Sequence, residues 1–258
     1  MKTAENLCLG SGCRRKGFFA KVSGRLKRRI MPFFTCLSAM NPLNLPQELP
    51  IARYRLHFTL THDLQLPSYA ASTLRGVFGH ALLAAACTCD TPQTPHLPDC
   101  PYAQIFEPAP CADLPGSVRQ SPPPPYLIET PLVAPTHFPA GAGYAFNLVL
   151  FGRARHSLAL IAAVFAQAFA KGLGANNAGK GELSDIAVQQ ADGSFLTISE
   201  RGSPIALHDN HIRLPERYPT QAHIQLLTPL RIQQKGRILW ETELTQAVFL
   251  RQLLRRYL

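Results

Sequence analysis

The sequence predicts an α+β fold, and three patterns lead to that prediction. In residues 53–60 apolar and polar side chains alternate, which is typical of a strand with one buried face. In residues 69–86 and 156–171 apolar side chains recur every three or four positions, which is typical of a helix that covers a core. Asp192-Gly193 has the composition of a hairpin turn between two strand-like segments. Helices interleaved with antiparallel hairpins indicate an α+β architecture.

The first half of the chain combines one alternating strand with one helix. One face of the strand is apolar, and the other face carries Arg53, Arg55, His57 and Thr59. The helix at 69–86 contains Gly76 and Gly79, and a glycine in a helix costs about 1 kcal/mol relative to alanine. Such glycines predict the close approach of another backbone or of a ligand.

A long insertion separates this helix from the rest of the chain. Residues 87–125 hold eleven prolines and four cysteines without an apolar period, so the sequence predicts an inserted loop there. A short strand at 126–130 is expected to return the chain to the sheet.

The second half repeats the order of the first. Its expected elements are strand 144–151, helix 156–171, a glycine-rich loop at 172–181, the hairpin, strand 223–228 and helix 241–257.

Each half therefore has the order strand, helix, further strands. This order predicts two tandem ferredoxin-like, or RRM-like, domains with a Pro/Cys-rich insertion in the first. Residues 1–45 are expected to form a basic N-terminal arm that precedes the domains. The first domain is predicted to cover residues 46–135 with the insertion at 87–125, and the second to cover residues 140–258.

The net charge of +10 is concentrated in the N-terminal arm. Residues 1–30 hold nine basic side chains and one acidic one, whereas the remaining 228 residues hold 17 basic and 15 acidic side chains. A positive net charge indicates a polyanionic partner. Because most of this charge lies in the arm, an RNA site in the remaining residues depends on where their arginines lie. Three interpretations of the arm stay open: a solvated arm, an arm that binds nucleic acid, or residues that precede a natural start at Met31 or Met40.

Composition excludes several other classes of protein. The most apolar helical stretch, Leu158 to Phe169, is interrupted by Gln167 and is too short to span a bilayer, so no membrane partner is expected. The basic N-terminus lacks the apolar core of a secretory signal. Seven cysteines are an odd number, and without a secretory signal they indicate reduced thiols in the cytoplasm.

Basic residues at several places are candidates for RNA binding. An outward strand face with arginines suits a sugar–phosphate backbone, although an ordinary solvated face has the same pattern. A glycine-rich turn lets backbone N–H groups approach phosphates, and half of such loops are only connections. The candidate RNA-binding residues are Arg53, Arg55, His57, Lys171, Lys180, Arg231, Lys235 and Arg237.

The insertion also offers a set of metal ligands. Cys87, Cys89, His96 and Cys100 have the residue types of a tetrahedral zinc site, with Cys111 as a spare. The Cys-x-Cys start is less typical of zinc sites than Cys-x-x-Cys, so free thiols are the favoured expectation. We expect no cofactor. A zinc ion at these residues would hold the insertion together without taking part in catalysis.

Three local patterns resemble the CRISPR RNA-processing endoribonucleases, the Cas-six family of RAMP proteins. Their order and spacing along one chain carry the resemblance, which covers residues 51–257. The patterns are TLRGVFGHAL at 73–82 with CPYAQIFE at 100–107, FGRA at 151–154 with its helix and glycine-rich loop, and LTPLRI at 227–232 running into KGR at 235–237.

The resemblance implies tandem ferredoxin-like domains and cleavage of precursor CRISPR RNA at the base of a repeat hairpin. The reaction needs no metal: the ribose 2′-OH attacks the adjacent phosphate and leaves a 2′,3′-cyclic phosphate and a 5′-OH. The implied partners are the repeat RNA, the mature crRNA and other subunits of a CRISPR effector complex. The size of the chain is similar to that of the type IV processing proteins.

Such a reaction needs a proton acceptor, a proton donor and positive charge near the phosphorane. We expect His80 as the acid or base, because Gly76 lies one helical turn before it and leaves space beside it. Arg75 is the candidate charge stabiliser and Tyr69 the candidate positioning group. His57 and His62 are second choices, and a His80 that only packs between domains is the alternative.

Two other function classes remain open at this point. A RAMP subunit that binds crRNA in an effector complex without cutting it would share the fold and the basic faces. An RNA chaperone outside CRISPR systems would bind RNA in a salt-sensitive way without preferring a hairpin.

Overall fold

The computed structural model shows a mixed α+β protein built around a five-stranded antiparallel sheet. The sheet and the two long helices lie within residues 51–200. The structure describes residues 34–35, 48–89, 96–109, 122–132, 135–208, 212–213, 221–226, 230–234 and 236–257. The basic arm at residues 1–45 therefore lies almost wholly outside the described residues.

The main elements follow the apolar patterns of the sequence. The strands of the central sheet are β1 (Ile51–Leu60), β2 (Tyr126–Glu129), β3 (Gly143–Phe151), β4 (Gly181–Gln189) and β5 (Phe195–Glu200). The helices are α1 (Ala70–Ala86), α2 (Pro101–Ile105), α3 (Leu158–Lys171) and α4 (Gln246–Tyr257). Most of the predicted strands and helices are thus confirmed to within a few residues.

Short elements complete the described chain. Four pairs of two-residue strands are Phe34–Thr35 with Gln221–Ala222, Glu48–Leu49 with Ile212–Arg213, Leu64–Gln65 with His137–Phe138, and Gln233–Gln234 with Arg237–Ile238. Three 3-10 segments are Gly152–Ser157, Ala175–Asn177 and Glu241–Glu243. The strand predicted at 223–228 does not form in its described part: regular pairing ends at Ala222 and only Gln225 of the described residues 223–226 makes a β-bridge. Residues 227–229 lie outside the described residues.

The strand order in the sheet is β2-β3-β1-β4-β5, with every neighbour antiparallel. β1 lies at the centre and pairs with β3 on one side and β4 on the other. The predicted domain boundary at residues 136–139 is therefore not a boundary between two sheets. Alternation along a strand reports which face is buried and not which strand lies beside it, so the sequence could not show that both halves share one sheet.

The core lies between the apolar face of the sheet and the helices α1 and α3. Phe58 of β1 stacks on Phe169 with 3.8 Å between ring centroids. Phe165 contacts both Phe78 of α1, at 4.8 Å, and Phe146 of β3, at 4.9 Å. All five rings are at most 2% exposed. Because burying one such side chain stabilises the fold by about 1.5–3 kcal/mol, this aromatic layer is a main source of stability.

The described part of the insertion contains a helix that the sequence does not predict. α2 lies inside residues 87–125, and its residues Tyr102, Ala103 and Ile105 are buried. A five-residue helix is too short to show a helical period, which explains why sequence patterns missed it. Among the described residues, none of the helices has the length and apolarity needed to cross a membrane.

The two glycines of α1 have different environments. A Cβ on Gly79 would overlap the ring of Phe106, whereas a Cβ on Gly76 would meet nothing within 4 Å. The Phe106 ring is itself held by Tyr102, at 5.5 Å, and Tyr126, at 6.2 Å, so it has little freedom to move aside. The close approach predicted for these glycines is therefore real for Gly79, and it is made by an aromatic side chain.

We expect Gly79→Ala and Gly76→Ala to change stability in opposite directions. Gly79→Ala should lower the free energy of unfolding by about 1–3 kcal/mol, since it overpacks the contact between α1 and Phe106. Gly76→Ala should raise it by about 0.5–1 kcal/mol, because the helix loses a flexible residue without a clash. Urea unfolding of both variants measures the difference. Equal effects of the two substitutions would contradict the assigned packing.

Candidate functional site

The polar face of the central sheet is the first candidate site, and we call Arg53, Arg55 and His57 with their neighbours the basic face. The three side chains alternate with buried residues of β1, so they share the side of the sheet opposite the core. All three are half-buried. The structure therefore brings these predicted residues together in one row.

A hydrogen-bonded network fixes the two arginines of the basic face. Arg53 pairs with Glu129 of β2, with a nitrogen–oxygen distance of 2.6 Å. Arg55 donates to the side-chain oxygen of Asn147 at 3.0 Å, and Asn147 in turn approaches Glu129 at 3.4 Å. The guanidinium of Arg55 also lies 3.8 Å from the centroid of the Phe195 ring. Glu129 thus neutralises Arg53, while no carboxylate pairs with Arg55 among the described residues.

His57 lies next along the same face. Its cross-strand neighbours are Ala145 on β3 and Asp185 on β4. Among the residues that the structure describes, no hydrogen bond or ion pair occupies its ring. Thr59, the next outward residue, shares a 2.6 Å hydrogen bond with Ser184. The imidazole of His57 is therefore available to a ligand beside the unneutralised charge of Arg55.

Sequence reasoning found the arginines but missed their partners. The sequence predicts the strands that carry Asn147 and Glu129. The feature that could have identified Asn147 is its polar side chain inside the apolar run 144–151. Phe195 and Asp185 had no such signal. Asp185 lies on β4 beside β1, Phe195 lies on β5 beyond β4, and both places depend on the sheet order.

The predicted catalytic residues Tyr69, Arg75 and His80 do not converge. They lie along α1 or at its start, and Tyr69 and His80 are about 16 Å apart along the helix axis at 1.5 Å per residue. Arg75 lies 5.3 Å from the centroid of the Phe106 ring, and His80 is exposed. A helix spreads residues that are five and six positions apart over different faces, which is why these three form no common site.

The glycine-rich loop is explained by packing. Leu173 and Gly179 exchange backbone hydrogen bonds of 2.8 and 3.1 Å that close the loop. Gly174 has φ of +81°, and a Cβ there would overlap the carbonyl of Gln65. Lys171 is exposed and Lys180 is half-buried, while the Lys180 carbonyl accepts hydrogen bonds from Thr61 and His62. The glycines thus serve the contact with the segment after β1, and the two lysines remain candidates at its rim.

The second predicted basic cluster is only partly available. Arg237 donates to Glu243 at 2.9 Å, and this pairing lowers the pKa of the Glu243 carboxyl through the hydrogen bond with Arg237. Arg231 is exposed, and Lys235 lies outside the described residues. The described part of this cluster therefore offers Arg231 as its free cation.

A buried tyrosine pairs with a histidine that sequence patterns did not connect. The hydroxyl of Tyr54 lies 2.9 Å from Nε2 of His208, and Nδ1 of His208 lies 3.0 Å from the carbonyl of Ala206. Both ring nitrogens are thus occupied, so His208 ties the segment after β5 to β1 and does not offer a free acid or base. Burial raises the pKa of Tyr54 to about 12, which keeps the hydroxyl protonated.

The four candidate zinc ligands come together at the end of α1. Cys87 follows α1 directly and Cys100 is the residue before α2, so the two helices bring the ligands close. The ligand atoms of Cys87, Cys89, His96 and Cys100 all lie within 4.8 Å of one another. Sγ of Cys87 lies 3.6 Å from Nδ1 of His96 and 3.9 Å from Sγ of Cys100. The spare ligand Cys111 lies outside the described residues.

The thiols of this cluster differ in acidity. Burial opposes ionisation of Cys100, but backbone N–H groups of Ala103, Thr88 and Tyr102 outweigh it and lower the pKa of Cys100 to about 6. At Cys89 the backbone N–H of Leu97 favours the thiolate, yet burial and the neighbouring thiols raise the pKa. One thiolate is therefore stabilised by the start of α2, and its charge disfavours the next.

The sequence matches the AF_1859_N family, described as an N-terminal domain, over residues 49–212. This range contains the whole central sheet, the helices α1 to α3 and the Cys/His cluster. A comparison with curated proteins found no match. Because the family match covers more than half of the chain, the chain belongs to the AF_1859_N family.

Proposed function

We propose that the protein is a metal-independent endoribonuclease that binds RNA on the basic face of its central sheet. The observation that carries the proposal is the grouping of Arg55, His57, Asn147 and the Phe195 ring on one accessible sheet face. A cation contacts phosphates, an amide reads base edges and an aromatic ring stacks on bases, which are the usual elements of single-stranded RNA recognition.

The topology supports this use of the sheet. Residues 51–189 follow the order β-α-β-β-α-β with the two central strands β1 and β3 side by side. This order is typical of a ferredoxin-like unit, and RRM domains of this kind bind RNA across their open sheet face. We infer one such unit across both halves of the chain in place of one in each half.

We propose that His57 acts at the reacting phosphate. His57 takes the proton from the attacking 2′-OH or gives one to the leaving 5′-oxygen, since imidazole transfers protons near neutral pH. Arg55 stabilises the negative charge of the phosphorane, because Glu129 compensates Arg53 and leaves the charge of Arg55 free. The products are a 2′,3′-cyclic phosphate and a 5′-OH.

The proposed substrate is the repeat hairpin of precursor CRISPR RNA. The resemblance of residues 51–257 to the Cas-six processing endoribonucleases supports this substrate, and it also supports retention of the mature crRNA in an effector complex. The test is incubation of the purified protein, in EDTA, with end-labelled repeat RNA from its own genome. A single cut at the base of the hairpin with a cyclic-phosphate end is the expected result. A shuffled hairpin of equal length is the control and should stay intact.

Binding should depend on Arg55 more than on the second basic cluster. Arg55→Ala should weaken RNA binding by about 10- to 100-fold, because a hydrogen bond to a charged group contributes about 1.5–3 kcal/mol. Arg231→Ala removes the same charge from an exposed residue outside the central sheet and should change affinity little. Fluorescence anisotropy at several salt concentrations measures both. A larger loss with Arg231→Ala would move the RNA site away from the basic face.

A second candidate function is a non-cleaving RAMP subunit that binds crRNA. The spread of Tyr69, Arg75 and His80 along α1 favours it, because no conventional histidine–tyrosine site forms there. Tight binding of repeat RNA that stays intact would establish this function in place of cleavage.

A further inference from the structure

The Cys/His cluster has the dimensions of a metal site. In a tetrahedral zinc site, Zn–S distances of about 2.3 Å and Zn–N distances of about 2.0–2.1 Å place two sulfurs about 3.7 Å apart, and a sulfur and a nitrogen about 3.6 Å apart. The distances of 3.9 Å between Cys87 and Cys100 and 3.6 Å between Cys87 and His96 are close to those values. With all four ligand atoms within 4.8 Å of one another, one ion can contact the whole set.

The same distances exclude a disulfide within the cluster as the structure has it. A disulfide needs an S–S distance of about 2.05 Å, and Cys87, Cys89 and Cys100 are free cysteines. Three unbonded sulfurs that lie within 4.8 Å of one another and of an imidazole nitrogen are poorly explained by apolar packing alone.

The surroundings hold the ligands in place. The backbone N–H of Leu97 donates to Sγ of Cys89 at 3.4 Å, a contact that orients a metal-bound thiolate. The ring of His96 lies 4.9 Å from that of Tyr102, which limits its rotation. Cys100 is fully buried at the start of α2. Metal ligands in proteins are usually held in position by such contacts with residues that do not bind the metal themselves.

We propose that Cys87, Cys89, His96 and Cys100 bind one zinc ion as a structural site that joins the end of α1 to the start of α2. Three thiolates and one imidazole in a tetrahedral set are the ligands of structural zinc, and four protein ligands leave no open position for a substrate. The inference does not depend on the proposed RNA cleavage.

The ion explains how a proline-rich insertion keeps a defined position. Tyr102 lies in α2 and its ring contacts that of Phe106, the residue directly after α2. The Phe106 ring in turn covers Gly79 and contacts Tyr126, yet α2 is only five residues long. Such a short helix has little stability of its own. Zinc ties both ends of the 87–100 segment to one point, so α2 and the rings of Tyr102 and Phe106 are held against α1.

The test is the zinc content of the purified full chain, measured by inductively coupled plasma mass spectrometry, together with titration of its thiols. We expect about one zinc per chain, as a closed four-ligand site retains its ion. Protection of the three cluster thiols until a strong chelator is added supports the site. A zinc content near zero after folding with excess Zn²⁺ would overturn it, as would immediate reaction of all the thiols.

Variants separate ligation from general folding effects. Cys100→Ser and His96→Ala should lose the zinc, whereas His96→Cys keeps a four-ligand site and should retain it. Cys8→Ser removes a cysteine outside the set and should leave the zinc content unchanged. If Cys100→Ser fails to fold, the absorption spectrum of Co²⁺ added to the unaltered chain provides the test. A spectrum typical of tetrahedral Co²⁺ bound by thiolates supports the site, and the spectrum of hydrated Co²⁺ overturns it. Retention of zinc by both Cys100→Ser and His96→Ala would also overturn it.

Discussion

His57→Ala should lower the rate of RNA cleavage by about 10²- to 10⁴-fold, the range that general acid–base catalysis contributes. The affinity for RNA should change much less, because the guanidinium of Arg55 and the Phe195 ring remain in place. Single-turnover cleavage of labelled repeat RNA measures the rate, and anisotropy with a substrate whose 2′-OH is replaced by hydrogen at the cleaved position measures the affinity.

His80→Ala is the matched control for this experiment. It removes an imidazole from an exposed position on α1, away from the basic face, and should leave the rate unchanged. A loss of cleavage with His80→Ala and none with His57→Ala would place the reaction on α1 instead. A step in the pH profile of cleavage by the unaltered protein that is absent from the profile of His57→Ala would support a proton-transfer role over a structural one.

Phe78→Ala is expected to have the largest effect on stability. Phe78 is fully buried, and its ring contacts Phe165 of α3, Tyr126 of β2 and Phe106 beside α2. Its truncation should cost about 3–5 kcal/mol, because it removes apolar contacts and leaves a cavity between elements that cannot all close in. This loss is a large fraction of the free energy of unfolding of a typical domain, which is roughly 5–15 kcal/mol.

Two control variants make the stability measurement specific. Phe78→Leu keeps most of the volume and should cost about 1.5 kcal/mol or less. Leu196→Ala truncates a side chain that is 55% exposed on β5 and should change stability by less than about 0.5 kcal/mol. Urea unfolding followed by far-UV circular dichroism compares the three. Similar costs for Phe78→Ala and Leu196→Ala would contradict the position of Phe78 at the centre of the core.

The local elements of this protein were determined by its sequence. The alternation in residues 53–60 predicted β1 and its basic face, and the helical period predicted α1 and α3. The hairpin of β4 and β5 turns at Gly193, which has φ of +87°, as the Asp-Gly pair predicts. These features depend on contacts between residues close in the chain, so a single sequence reveals them.

Only the tertiary structure decided which elements are neighbours. The union of both halves in one sheet, the partners of Arg53 and Arg55, and the separation of Tyr69 from His80 all depend on packing between distant segments. The candidate metal ligands show the difference most clearly: the sequence named Cys87, Cys89, His96 and Cys100, but the Cys-x-Cys spacing of Cys87 and Cys89 favoured free thiols. The fold brings the sulfurs of Cys87 and Cys100 to 3.9 Å because α2 packs against α1. Residue spacing cannot report that contact, since the buried rings that create it lie in different segments of the chain.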